Sequence, residues 1–220
     1  MTATDACWIG VDESGKGDYF GPLVIAAVCV ETDTAEMLRR SGVRDSKTLS
    51  DRAVMELAPD ISGLCRSTVV AIGPPKYNQL YAKLKNLNKL LGWGHARAIE
   101  NLLDAGCPAT MALSDQFGDT RFISDALLNK GKQIRLEQRH RAEDDVAVAA
   151  ASIVARAEFL RRLERLSTEA GLILPKGASN LVEAAAGRLV AAHGRDGLGN
   201  FAKLHFKTTA KILAAASQLS

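Results

Sequence analysis

The sequence has no apolar run long enough to cross a bilayer. Its longest, Pro22 to Val30, is nine residues, against the roughly 20 that a spanning helix needs. No basic segment followed by an apolar stretch marks the N-terminus, so no secretory signal is legible and a cytoplasmic protein with no membrane partner is expected. Cysteine is sparse. The four residues Cys7, Cys29, Cys65 and Cys107 form no C-x-x-C pair, which argues against a zinc site and a disulfide framework and leaves them as reduced core residues. Repeats, low-complexity tracts and Ser/Pro-rich linkers are also absent, so 220 residues read as a single domain, 1–220. Gly15-Lys16-Gly17 lacks the G-x-x-x-x-G-K-[ST] spacing of a phosphate loop, which excludes a P-loop nucleoside triphosphatase.

What is present is an ordinary globular composition, 47% hydrophobic and 24% charged, with a net charge of only +3. The distribution of that charge says more than its sum. From Lys76 to Ile99 the chain carries Lys76, Lys83, Lys85, Lys89 and Arg97 with no acid, and Tyr77, Tyr81 and Trp93 lie among them. A second basic stretch holds Lys130, Lys132, Arg135, Arg139 and Arg141, and a third holds His193, Arg195, Lys203, His205, Lys207 and Lys211. Any one such cluster is usually a solvated face; three in one small chain point to a polyanionic partner.

Apolar patterning predicts strands over Cys7 to Val11, Phe20 to Val30, Ser67 to Ile72, Thr110 to Leu113 and Gln133 to Leu136. Helices are predicted over Thr34 to Arg40 and over Ser50 to Ala58, the latter stopped by Pro59. Another runs from Leu80 to Leu103, with Gly92 and Gly94 as candidate bends, and a shorter one from Asp119 to Asn129. A long buried helix follows from Glu143 to Leu166, then helices over Ala178 to Ala192 and Lys207 to Gln218. Strands alternating with helices, then helices to the end, read as an α/β layered domain.

Carboxylates stand where such sheets expose reactive groups, at the ends of apolar segments. Asp12-Glu13 follows the first strand, Asp115 follows Met111 to Leu113, and Glu143-Asp144-Asp145 opens the long helix. Acids at these places are often turn or cap residues. Several converging carboxylates without His or Cys spacing suit magnesium or manganese, which take oxygen ligands. The glycines at 15 and 17 offer backbone that a ligand can approach closely.

The run Asp12-Glu-Ser-Gly-Lys-Gly-Asp-Tyr-Phe-Gly-Pro-Leu23 resembles the signature of ribonuclease HIII, of the type 2 ribonuclease H group. Asp45 to Leu49, Asn86 to Ile99, Ser114 to Phe117, Ala142-Glu143, Ala147 to Arg156, Leu174 to Ser179 and His205 to Thr208 resemble that family in the same order. Ser14 and Lys16 favour the HIII branch, because ribonuclease HII usually reads Asp-Glu-Ala-Gly-Arg-Gly there. The resemblance implies a ribonuclease H-like fold: a mixed sheet of about five strands flanked by helices, with a helical C-terminal part. It implies an endoribonuclease that cuts the RNA strand of RNA–DNA hybrids with two Mg²⁺ or Mn²⁺ ions, leaving 3′-hydroxyl and 5′-phosphate ends.

The catalytic, metal-holding acids it implies are Asp12, Glu13, Asp115 and Glu143, with Asp144 as the alternative fourth ligand. Substrate contacts fall on Ser14, Gly15, Lys16, Gly17, Ser46, Lys47, Lys85, Asn86, Asn88 and Lys89; Arg97, Lys176, Lys203 and Lys207 are further phosphate candidates. For Trp93 and His95, packing with local hydrogen bonding and substrate contact weigh equally. The extra N-terminal domain of many HIII members, TATA-binding-protein-like in fold, finds no room before Asp12, so the basic stretches are expected to grip the hybrid. The expected protein is a monomer. The readings to separate from this one are ribonuclease HII-like incision at single embedded ribonucleotides and a non-catalytic hybrid-binding module.

Overall fold

Two strands carry the apolar runs: β1 (Cys7–Ser14) is buried from Cys7 to Val11, and β2 (Leu23–Glu31) is buried from Leu23 to Val30, as strand segments covered on both faces must be. They pair antiparallel, Cys7 opposite Glu31 and Ser14 opposite Val24. β4 (Met111–Asp115) lies parallel to β1, and β5 (Arg135–Arg139) lies parallel to β4. With β3 (Arg66–Ile72) beside β2, the order is β3-β2-β1-β4-β5, the mixed five-stranded sheet expected from the sequence. This computed structural model describes residues 7–217. They fall into two units interleaved along the chain, one of 7–14, 24–70 and 86–158, the other of 15–23, 71–85 and 159–217.

In the first unit the sheet is joined by α1 (Thr32–Arg40), α2 (Asp51–Leu64), α4 (Leu87–Asp104), the single turn α5 (Arg121–Ser124) and the start of α6 (Val146–Ala170). Ser50 caps α2, its hydroxyl accepting from the Ala53 amide at 3.2 Å. Pro59 does not stop this helix, although a mid-helix proline costs about 3 kcal/mol. Val54, Ala58 and Ile61 are buried on one side of it, and the Cys65 amide closes the last turn on the Ile61 carbonyl at 2.8 Å. Burial of that stripe outweighs the lost backbone bond.

The helix expected over Leu80 to Leu103 is two helices. Lys85 takes a left-handed conformation (φ 48°), ending α3 (Pro74–Leu84), and Asn86 starts α4 by accepting from the Lys89 amide at 3.2 Å. Gly92 and Gly94 do not bend α4. A Cβ on Gly92 would stand 2.1 Å from the Phe122 carbonyl oxygen, and one on Gly94 2.6 Å from Ile25 Cδ1, so both glycines serve close packing. Only the four residues of α5 are helical in the 119–129 stretch. The long helix begins at Val146, not Glu143; Ala142–Asp144 form a separate 3₁₀ turn.

Cys29 and Cys107 pair as a disulfide, and the Cys7 sulfur lies 3.1 Å from that of Cys29, so these residues are not three independent reduced thiols. The 78 residues separating the bonded pair left no local spacing to read.

The second unit holds the loop 15–22, α3, the rest of α6, α7 (Asn180–Gly197) and α8 (Lys207–Ser217). Gly194 breaks the helical path of α7 with φ 73°. Among the described residues no helix is long and apolar enough to cross a membrane.

Candidate active site

The parallel pairing of β1 and β4 sets Val11 beside Ser114, so one residue further Asp12 and Asp115 stand next to each other where β4 ends, while β1 runs on to Ser14 against β2. Asp12 Oδ1 accepts from the Glu13 amide at 2.8 Å, and Asp115 Oδ1 accepts from the Ala142 amide at 3.4 Å. The second bond ties β4 to the 3₁₀ turn that carries Glu143. That turn is anchored by Ala142, buried with Leu113 and Val148. The start of α6 comes close to β1 because position 10 is glycine: a Cβ there would stand 2.1 Å from the Ala147 carbonyl carbon.

The three consecutive acids have separate fates. Asp145 is buried, accepts from Trp8 Nε1 at 3.0 Å, and caps α6 by accepting from the Ala147 amide at 2.8 Å. Asp144 is exposed. The Glu143 charge acts on Lys47 with those of the other acids: although burial works against that ammonium, Asp45, then Asp12, Glu143 and Asp115, hold it above the ordinary lysine value. Burial pushes the Asp12 carboxyl well above the usual range, with the Glu13 and Asp115 charges adding to it and the Glu13 amide and Lys47 opposing.

Glu13 leaves β1 next to Asp12 and is held by α4. His95, with no exposed surface, bonds Glu13 Oε2 through Nε2 at 3.0 Å and Ser114 Oγ through Nδ1 at 3.0 Å. A carboxylate only accepts, so Nε2 carries the proton. His95 thus orients Glu13, the packing and local hydrogen bonding that the sequence weighed equally with substrate contact.

An all-oxygen donor set in which one buried acid is disfavoured by its acidic neighbours fits hard divalent cations. Among the described residues no three carboxylates bring an oxygen within 4.8 Å of one another. Beside Glu143 lies a cavity of about 360 Å³ lined also by Arg39, Arg44, Asp45 and Thr48. Neither arginine stood out in the sequence, since both lie outside the basic stretches.

Of the remaining candidates in this unit, Ser46 is buried, its amide donating to Ser152 Oγ at 3.2 Å and its carbonyl bonded by Arg156. It shapes the loop that presents Lys47 and offers little surface of its own. Asn86 is spent on the α4 cap, and the Asn88 amide lies against Gly118. Lys89, Trp93 and Arg97 are exposed at successive i, i+4 positions of α4, one face with a ring between two cations.

Ser14 ends the first segment of its unit; in the second unit, Gly15 has φ 86° and a Cβ there would strike the Pro22 carbonyl at 2.2 Å, so only glycine fits. Lys16 is half-buried. Gly17 is exposed, and a Cβ there would meet nothing within 4 Å, so its backbone lies open. Lys85, Lys176 and Lys207 are exposed. Lys203 is not a phosphate contact. It is fully buried, and its Nζ donates to the carbonyls of Asp18 at 2.7 Å, Phe20 at 3.3 Å and Gly21 at 2.7 Å. An amine buried that deeply persists only if its donors are met. Burial draws it down to about 7, against the pull of the Asp18 carboxylate. The same loop is fixed by the Lys203 amide on the Tyr19 carbonyl at 2.9 Å and by the Gly177 amide on Asp18 Oδ1 at 2.6 Å.

A sequence profile of the family Ribonuclease HII matches residues 9–209. Ribonuclease HIII of Protochlamydia amoebophila is 48% identical over 206 residues, covering 93% of this chain and 68% of that protein. Ribonuclease HIII of Chlamydia trachomatis serovar L2 is 44% identical over 212 residues, 96% of this chain and 71% of the relative. Among solved structures, Bst-RNase HIII in complex with Mn²⁺ superposes with a TM-score of 0.90 at 37% identity, covering 99% of this chain and 72% of that one.

Proposed function

Because the chain belongs to the ribonuclease HII family, with ribonucleases HIII among its relatives, we propose that Asp12, Glu13, Asp115 and Glu143 are its catalytic, metal-holding residues. The protein is a ribonuclease H, an endonuclease that hydrolyses RNA within RNA–DNA hybrids with Mg²⁺ or Mn²⁺. The observation that supports the residue assignment is the strand pairing that sets Asp12 next to Asp115, with Asp115 bonded to the turn that carries Glu143 and Glu13 held by His95. Ions bound at those carboxylates supply Lewis-acid stabilisation of the charge that builds on the scissile phosphate.

The chain's own groups do the rest. Asp12 and Asp115, fixed on neighbouring parallel strands, aim oxygens in one direction without moving backbone. His95 keeps Glu13 in one orientation. Lys47 sets a cation beside the acids, where a phosphate oxygen is attracted. The Gly15-Lys16-Gly17 backbone contacts 2′-hydroxyl groups, the feature that separates RNA from DNA. Cleavage leaves 3′-hydroxyl and 5′-phosphate ends. The protein acts as a monomer and one catalytic domain in the cytoplasm.

The test is a comparison of two duplexes, one carrying a long RNA stretch and one a lone ribonucleotide, each in Mg²⁺ and then Mn²⁺. Cleavage at several positions in the long stretch is expected, with the lone ribonucleotide cut more slowly. Cutting only at the lone ribonucleotide would instead establish ribonuclease HII-like specificity, and no cutting of either would leave a binding module.

The exposed face of α4 supplies backbone grip. Replacing Lys89 and Arg97 together by alanine should raise KM, leave kcat within about twofold, and lower the slope of log affinity against log salt by about 2, near one for each phosphate no longer neutralised. An unchanged slope in a filter-binding titration would remove α4 from the interface.

A further inference from the structure

Three of the chain's four cysteines, far apart in sequence, bring their sulfurs within 4.8 Å of one another at the end of the sheet away from the acids. Cys7 opens β1 and Cys29 lies near the end of β2. In this register Cys7 faces Glu31, and Cys29 precedes Glu31 by two, so all three side chains leave the same face. Cys107 reaches them from the turn after α4. That turn is held by the Cys107 amide on the Leu102 carbonyl at 3.0 Å, and by Arg66, which donates to the carbonyls of Ala105 at 3.0 Å and Gly106 at 3.3 Å. Five residue steps along β1 separate Cys7 from Asp12, about 17 Å at strand rise. Hydrolysis of a phosphodiester uses none of these sulfurs.

We propose that Cys7, Cys29 and Cys107, when reduced, form a binding site for one thiophilic divalent d¹⁰ cation of the zinc class. A disulfide needs two sulfurs, and the third, 3.1 Å from Cys29, adds nothing to a staple. Three thiolates about 2.3 Å from one ion stand about 4 Å apart, a spread that this trio reaches by small side-chain rotations. The fourth tetrahedral position falls to water or to Glu31, the carboxylate opposite Cys7. Burial raises the Cys7 thiol, Glu31 adding to the shift and Arg66 opposing it, so the proton stays on until a cation replaces it.

The chemistry balances. Reduction of the Cys29–Cys107 disulfide by a phosphine and water gives two thiols and the phosphine oxide. Binding of the ion by the three thiols then releases three protons.

The experiment uses the full chain, reduced with a phosphine, freed of it without oxygen, and titrated with Co²⁺ as the probe. The expected result is an intense thiolate-to-cobalt charge-transfer band that saturates at one ion, with three of the four thiols protected from a thiol reagent. Zn²⁺ added afterwards should abolish the band. Cys7→Ser should lose it, and this variant keeps the Cys29–Cys107 pair, so it separates a trio from a simple disulfide. Cys65→Ser should keep it. Only weak octahedral bands would mean cobalt on carboxylates alone and would overturn the proposal, as would a band that survives Cys7→Ser. Hybrid cleavage in Mn²⁺ should be the same in Cys7→Ser and the parent, because that end of the sheet holds no acid of the cleavage site.

Discussion

Asp12→Asn and Asp115→Asn should each lower kcat for hybrid cleavage by about a thousandfold, the loss of roughly 4 kcal/mol of transition-state stabilisation. Each removes a charged oxygen donor and keeps the shape of the side chain. The fold should survive, and for Asp12→Asn stability should rise in the absence of metal. The Asp12 carboxyl is held well above its usual range, by burial first and by its acidic neighbours next, so the folded state binds a proton that the unfolded chain has released. A group raised in this way makes the folded protein lose stability as pH climbs from about 4, the unfolded value, toward the folded one. Asparagine has no such loss. In chelator, melting curves should therefore show a Tm advantage of Asp12→Asn over the parent that widens across that window, and Mn²⁺ should reverse it by stabilising the parent alone. A variant that cuts hybrid at near the parental rate would end the assignment of that acid.

Lys203→Met should be the most damaging single change outside the acids. It leaves the carbonyls of Asp18, Phe20 and Gly21 buried without donors, at about 1 kcal/mol or more each. A total near 3 kcal/mol lowers Tm by about 6–12 °C in a chain of this size. The functional cost follows from where those carbonyls lie, just after Gly15-Lys16-Gly17 and in the loop whose other end is the Pro22 carbonyl against Gly15. KM for hybrid should rise with a smaller change in kcat, and limited proteolysis should nick the variant between residues 15 and 22 sooner than the parent. A Tm within about 2 °C of the parent would show that water replaces the ammonium at no cost.

The strands were legible because β1 and β2 are apolar runs bounded by a glycine-rich turn, and no helix competes for such short segments. Boundaries failed where a tertiary contact decided them. Pro59 reads as a stop, yet the buried face of Val54, Ala58 and Ile61 carries α2 past it. Gly92 and Gly94 read as bends, yet the break falls at Lys85, whose left-handed backbone has no composition signal. The acids were legible from their positions at strand ends and from the family motifs. Their division of labour was not, since only the Trp8 and Ala147 bonds tell Asp145, a buried cap, from Glu143, whose charge acts on Lys47. Lys203 stood in a basic stretch and was read as surface. His95 was undecided because its partners, Glu13 and Ser114, lie 82 and 19 residues away.

The interleaving of the two units along the chain bears on synthesis as well as on the finished protein. β1 is complete by residue 14, but its parallel neighbour β4 does not begin until residue 111. At about 5–20 residues per second on the ribosome, the nascent β1 waits roughly 5–20 s with one apolar edge paired to β2 and the other open. The second unit waits longer still, since the loop at 15–23 has its clamp at Lys203. Slow codons between β2 and β4 would lengthen that exposure, and chaperones that bind emerging apolar strands have their best target there.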